Sequence, residues 1–225
     1  MNERTLKDSL YEQVARIGKA FASPKRLELL EMLAQGEKSV ETLTAELSID
    51  VKLASAHLKA LREANLVQAR RDGKYVFYRL RGDDVAQLGV ALRNVAEEHL
   101  VEMRLALQQL VREPDRLVKT SRGELLAQAR NGRVVVIDVR PRSEFDAAHL
   151  PYARSMPLAE LEQRIGELPP DVDIVAYCRG PFCLMSDQAV KLLLSRGYRA
   201  RKTSDGVSEW LAAGFTVETT PTDPV

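Results

Sequence analysis

The chain has 225 residues, enough for one large domain or two small ones at roughly 150 residues per domain. Hydrophobic residues at 45% and charged residues at 29% exclude a disordered chain and a fibrous repeat. The net charge of +1 gives no global pull toward nucleic acid, and the longest charge-free runs, Val85–Leu92 and Trp210–Val217, fall far short of the ~20 apolar residues of a spanning helix. The first ten residues, MNERTLKDSL, are charged and carry no apolar core of a secretory signal, so a cytoplasmic location with no membrane partner is expected.

Leu10, Val14, Ile17 and Phe21 recur at helical spacing. Ser23-Pro24 then reads as an N-cap followed by proline at the first helical position, and Leu27, Leu29, Leu30 and Leu33 carry a second helix to Gly36. Val40–Leu47 is a short helix, Ser48-Ile49-Asp50 a tight turn, and Leu53–Ala64 a further helix with Leu58 and Leu61 facing inward. Residues 66–80 form two strand-like runs around Asp72-Gly73, a strong hairpin signal. Asp84–Arg112 reads as one long helix. Its apolar stripe of Val85, Leu88, Leu92, Val95, Leu100, Met103 and Leu107 is too long for a small domain to cover alone, which makes it a dimer face.

Helix, helix, short helix, turn, helix, hairpin, long helix is the order of a winged helix-turn-helix, and charge supports it. Between Lys52 and Arg81 eight basic residues face only two acidic ones, a local +6 within a neutral chain.

Near residue 114 the chain changes character, with a break expected at Glu113-Pro114-Asp115 and a capping box of Ser121 and Glu124 opening the next helix. Val134–Ile137 is a buried strand ending in Asp138, and Ile174–Tyr177 another ending in Cys178. After Cys178 come Arg179, Gly180, Pro181, Phe182 and Cys183, then a helix over Leu184–Arg196 closed by Gly197. Cys178 therefore sits at the carboxyl end of a strand, where open α/β sheets bind ligands. The following helix N-terminus favours an anion and lowers a thiol's pKa, with Arg179 adding to the field. Two cysteines five apart, in a chain with no secretory signal, suit reactive chemistry better than a structural disulfide.

Two resemblances rest on these residues. Ser55–Val67 followed by Arg71–Tyr78 resembles the recognition helix and wing of the ArsR family of small dimeric repressors, over about residues 10 to 110. The resemblance implies a homodimer on operator double-stranded DNA. It places Lys52, Ser55, His57 and Lys59 at or near the major groove, and Arg71 and Lys74 on the wing. Metal-sensing members carry thiolates on the first helix of the motif; Val40–Leu47 has no Cys or His, and the long helix offers only His99, so no metal site and no cofactor are expected.

The run Ile137–Phe145, then His149-Leu150-Pro151, Tyr177–Gly180 and Asp205–Gly214, resembles a single-domain rhodanese over about residues 117 to 220. That resemblance implies a persulfide carried on Cys178 and cradled by the backbone of Arg179 to Cys183, with Asp138, Arg140, Glu144 and His149 as a polar framework and Trp210 in the core. Ala148 replaces the glycine usual before the histidine, and Cys183 takes the last place of the six-residue loop. A phosphoester hydrolase would need an arginine six positions after its cysteine, where Leu184 stands.

The expected architecture is two domains. A mainly helical winged helix-turn-helix unit covers residues 1–113, a linker 114–119, and an α/β rhodanese-like unit with a parallel sheet 120–220. The expected function is a transcriptional regulator, a repressor, that senses reactive sulfur from polysulfide, persulfide or thiosulfate donors through a persulfide or a disulfide or sulfur bridge at Cys178 and Cys183. The alternatives are a working sulfurtransferase acting through Cys178, with the winged unit serving dimerisation or localisation, and a constitutive DNA-binding protein whose second domain only binds an anion.

Overall fold

The computed structural model describes residues 2–110 and 116–220, and the chain divides into two compact units, Met1–Gly89 and Val90–Val225. The predicted break at Glu113-Pro114-Asp115 lies outside the described residues.

The first unit begins with α1 (Glu3–Phe21), capped by the Asn2 side chain on the Thr5 amide, and α2 (Pro24–Leu33), entered through Pro24. A short strand β1 (Lys38–Ser39) leads into α3 (Val40–Leu47). Ser39 caps α3 through the Thr42 amide, Ser48 leaves it in the left-handed region at φ 51°, and the Asp50 carboxylate accepts from the Leu53 amide to start α4 (Val51–Glu63). These three caps set the helix-turn-helix. The hairpin of β2 (Val67–Asp72) and β3 (Tyr75–Leu80) follows, in register from Val67 opposite Leu80 to Asp72 opposite Tyr75. Its two-residue turn is Gly73-Lys74, one position later than the Asp-Gly signal centres it, with Gly73 at φ 56°. The antiparallel sheet runs β1-β3-β2. Leu29, Leu33, Leu43, Leu58 and Leu61 fill the core beneath it. Leu27 of α2 is exposed.

The predicted single helix over Asp84–Arg112 is two among the described residues, α5 (Asp83–His99) and α6 (Val101–Leu110). At the break the Arg104 guanidinium donates to the carbonyls of Glu97 at 3.3 Å and Glu98 at 2.7 Å, supplying partners that a continuous helix would draw from its own amides. α5 begins in the first unit and ends in the second.

In the second unit α7 (Arg122–Arg130) opens with the Ser121–Glu124 capping box. Then come β4 (Val134–Asp138), α8 (Arg142–Ala147), β5 (Arg154–Ser155), α9 (Leu158–Arg164), β6 (Asp173–Tyr177), α10 (Met185–Ser195), β7 (Ala200–Lys202) and α11 (Val207–Ala212). The four strands are parallel in the order β5-β4-β6-β7. Side chains alternate across the sheet as the period of two requires. Val135, Ile137, Ile174 and Ala176 pack on one face with Leu161 of α9 and Val190 of α10. Val134, Val136, Val175 and Tyr177 pack on the other with Leu125 of α7 and Trp210 of α11. The chain passes from β4 to β5 on one side and then to β6 on the other, so its direction of winding reverses between β4 and β6. The carboxyl ends of those two strands carry Asp138 and Cys178, at the position where doubly wound sheets hold ligands. Among the described residues no helix is long and apolar enough to cross a membrane.

Candidate functional site

Cys178 emerges from β6 into a loop that runs to Leu184, one residue longer than expected, before α10 begins at Met185. Its side chain is buried, only 2% exposed, whereas Cys183 is half-buried, and both are free thiols. The Cys178 sulfur lies 3.3 Å from the Ser186 hydroxyl and 3.3 Å from the Cys183 carbonyl oxygen. The Cys183 thiol, acting as a donor, holds Cys178 below the ordinary thiol range; burial opposes this, and the Ser186 hydroxyl and amide and the Gly180 amide reinforce it. The same bond pushes Cys183 upward, with burial adding to the effect. One thiol is thereby disposed to ionise and its neighbour to stay protonated.

Ser186 was not singled out from the sequence. Its signal is a hydroxyl in the first turn of the helix behind the cysteine loop, and it is buried. Ser186→Ala is expected to move the pH midpoint of Cys178 alkylation upward, toward the ordinary ~8.5. Ser186→Thr keeps the hydroxyl and should restore it. Following the Cys178 peptide by mass against pH decides this, and an unmoved midpoint in Ser186→Ala would show that the hydroxyl plays no part.

The polar framework comes together around the same strand ends. Asp138, fully buried, accepts from the Arg140 amide at 3.0 Å, from the Arg140 guanidinium, and from the Tyr177 hydroxyl at 2.5 Å. Tyr177 in turn accepts from the Leu150 amide at 3.1 Å, and Arg140 donates to the Ala148 carbonyl at 2.7 Å. His149 stacks on Phe145 with ring centroids 3.8 Å apart, its Nδ1 2.8 Å from the Phe145 carbonyl oxygen. Arg179 makes a further tie. Its guanidinium grips the buried Glu144 carboxylate at 2.6 to 3.2 Å, tying the start of the loop to α8.

Gly206 lies behind the loop. A Cβ there would meet the Cys178 and Arg179 carbonyl oxygens at 2.7 and 2.6 Å, so only glycine allows this approach. Its amide donates to the Glu209 carboxylate at 2.7 Å. Pro181 borders a cavity of about 370 Å³ whose lining includes Arg93, Asn94, Arg122, Ser204 and Glu209.

In the first unit, α4 buries Ala54, Leu58 and Leu61 and leaves Lys52, Ser55 and Lys59 exposed on the opposite face, with His57 half-buried at its flank. Lys59 lies 3.8 Å from Glu63, one turn on. On the hairpin, Arg71 and Lys74 are exposed. Arg70 is instead paired with Glu37 at 2.8 Å and Asp72 at 3.0 Å, which occupies one of that segment's eight basic side chains.

The family model for the rhodanese-like domain matches residues 121–213, and the model for bacterial regulatory proteins of the arsR family matches residues 23–69. The HTH-type transcriptional regulator Rv0324 of Mycobacterium tuberculosis is 42% identical over 212 residues, 94% of this chain and 93% of that protein. The biofilm growth-associated repressor of Agrobacterium fabrum is 48% identical over 80 residues, 36% of this chain and 68% of that protein. The solution structure of the homodimeric winged helix-turn-helix DNA-binding domain Mb0332 from Mycobacterium bovis is 44% identical, covering 45% of this chain and 93% of that one with a TM-score of 0.41. The chain belongs to the arsR family of bacterial regulatory proteins and is a transcriptional regulator in which a winged helix-turn-helix is followed by a rhodanese-like domain.

Proposed function

We propose that the protein is a homodimeric repressor whose grip on operator DNA responds to sulfane sulfur taken up at Cys178 and resolved by Cys183. The observation that carries this reading is the pairing of the two thiols in one loop, one disposed to ionise and the other held protonated beside it.

The Cys178 thiolate attacks the terminal sulfane sulfur of a polysulfide, organic persulfide or thiosulfate. The donor's sulfur–sulfur bond breaks, the shortened donor leaves with the electron pair, and Cys178 carries a persulfide. Cys183 then attacks the Cys178 sulfur, the outer sulfur leaves as hydrosulfide with the Cys183 proton, and a disulfide forms. The two thiols are oxidised and the transferred sulfur is reduced to sulfide. The five-residue spacing and the shared loop support the reach this needs. Cys183→Ser should still gain one sulfur atom but hold it as an open persulfide, with a blunted DNA response.

DNA recognition is proposed for the exposed face of α4, with Lys52, Ser55 and Lys59, for His57 at its flank, and for Arg71 and Lys74 on the wing. Cations there neutralise phosphates, and hydroxyl and imidazole groups donate to phosphates or base edges. The exposed apolar residues Leu10 and Val14 of α1 and Leu88, Leu92 and Val95 of α5 support a dimer seam on those helices. The test of the DNA-binding surface is salt titration. Lys59→Ala or Arg71→Ala should weaken binding to many sequences and lower the salt slope by about one each. Unchanged affinity and slope in both variants would place the DNA surface elsewhere. Sulfur turnover to cyanide without any change in DNA affinity would favour a sulfurtransferase instead.

A further inference from the structure

Arg93 lies on α5, the helix that begins in the first unit at Asp83, with Val85 in that unit's core, and continues past Gly89 into the second. Its side chain is 13% exposed and forms an ion pair at 2.5 Å with Glu209, which is 7% exposed. Its guanidinium also covers the Phe182 ring, 5.6 Å from the centroid. Glu209 is held from the other side by the Gly206 amide, and its carboxylate oxygens stand 3.3 Å from where a Cβ on Gly180 would lie. Gly206 in turn presses on the backbone of Cys178 and Arg179. Arg93 is thus joined to the cysteine loop by two routes, one through Glu209 to its first residues and one through Phe182, the neighbour of Cys183.

From this network we propose that Arg93 is the residue through which α5 reads the chemical state of the Cys178–Cys183 loop. The inference rests on the sulfur-sensing reading above and names its transmission contact. Drawing the Cys183 sulfur onto Cys178 moves Phe182, the adjacent residue, and shifts the backbone at Gly180 against the Glu209 carboxylate. Both partners of Arg93 then differ between the dithiol and the bridged loop. A ligand-driven change requires a contact of this kind, one that differs between two states, if it is to bias the helix that carries it. Leu88, Leu92 and Val95 lie exposed on the same helix, so a displacement at Arg93 bears directly on the proposed dimer seam.

The test uses the full-length protein, inorganic polysulfide as the sulfur source, and a duplex selected from a random pool by the parent. Two readouts are taken together, the mass of the loop peptide and the DNA affinity before and after polysulfide. Coupling of ordinary size changes the parent's affinity by ~5–150-fold. In Arg93→Met the loop should gain sulfur at the parental rate while the affinity ratio falls to about one. Because Arg93→Met leaves the Glu209 carboxylate buried without its cation, the double variant Arg93→Met with Glu209→Gln removes both charges, and it should show the same loss of response with a parental unfolding midpoint. If both variants keep the parental ratio, Arg93 is not the reader and the inference is overturned while sulfur sensing stands. A parental ratio of one would remove the sensing reading and this inference with it.

Discussion

Cys178→Ser is expected to abolish sulfur gain at the loop and, with it, any change in DNA affinity on exposure to a sulfane donor. Cys178 alone combines the three properties the first step requires. It lies at the carboxyl end of β6, at the point where the winding of the sheet reverses. It is lowered by Cys183, Ser186 and the Gly180 amide, so a thiolate is available near neutral pH. Its sulfur is buried, so a bound sulfane chain is shielded from competing thiols. Serine keeps the volume but is not ionised in the accessible pH range and accepts no sulfur. Cys183 does not substitute, because burial still raises it when Cys178 is replaced and it stands at the far end of the loop, away from the end of β6. Loop-peptide mass and DNA affinity, measured on the same sample, check the prediction. A variant that responds like the parent would show that sulfur does not enter through this loop.

The second large effect concerns stability. Asp138 and Arg140 are both fully buried, and the carboxylate accepts from the Arg140 guanidinium and amide and from Tyr177. Burial alone would pull the Arg140 guanidinium down, yet the Asp138 carboxylate, with Tyr177 and Glu144 adding to it, holds it above its ordinary value. Asp138→Ala leaves a buried cation without its main partner, which costs about 3–5 kcal/mol. It also strips the Tyr177 hydroxyl of its acceptor. The second unit should lose that stability in denaturant titration, whereas Asp138→Asn, which still accepts hydrogen bonds, should lose less. A loss below ~1 kcal/mol in Asp138→Ala would mean that the pair does not hold the strand ends, because removal of one buried partner is ordinarily several times more costly.

Much of the fold could be read from local chemistry because local chemistry sets it. The Val40–Leu47 helix agrees residue for residue, since Ser39 caps its start and Ser48 turns out of it at positive φ. β4 and β6 were visible as apolar runs because strands covered on both faces carry no polar alternation. β5 and β7 were not, since two and three residues carry no period. The break in the long helix was hidden for a different reason. Its apolar stripe continues through Leu100, and the Arg104 side chain that meets the freed carbonyls of Glu97 and Glu98 carries no signal in the sequence.

The candidate site divides the same way. Cys178, Cys183, Asp138 and Glu144 stood in a recognisable order along the chain. What each partner does depends on which atoms approach in space. Arg179 reaches Glu144 across 35 positions, and Arg93 reaches Glu209 across 116, a pairing with no periodic or motif signal. Ser186 lay within sight, eight residues after Cys178, but its contact arises only once α10 has turned the hydroxyl back toward the sulfur.

The most direct test of a sulfur-responsive regulator is made on the unaltered protein. DNA affinity is measured by titration before and after exposure to polysulfide, on samples in which the mass of the loop peptide has been followed. The account predicts that affinity changes by at least ~5-fold in step with the loss of free Cys178 and Cys183, and returns when a reductant restores both thiols. A loop fully converted to persulfide or disulfide with DNA affinity unchanged would contradict it.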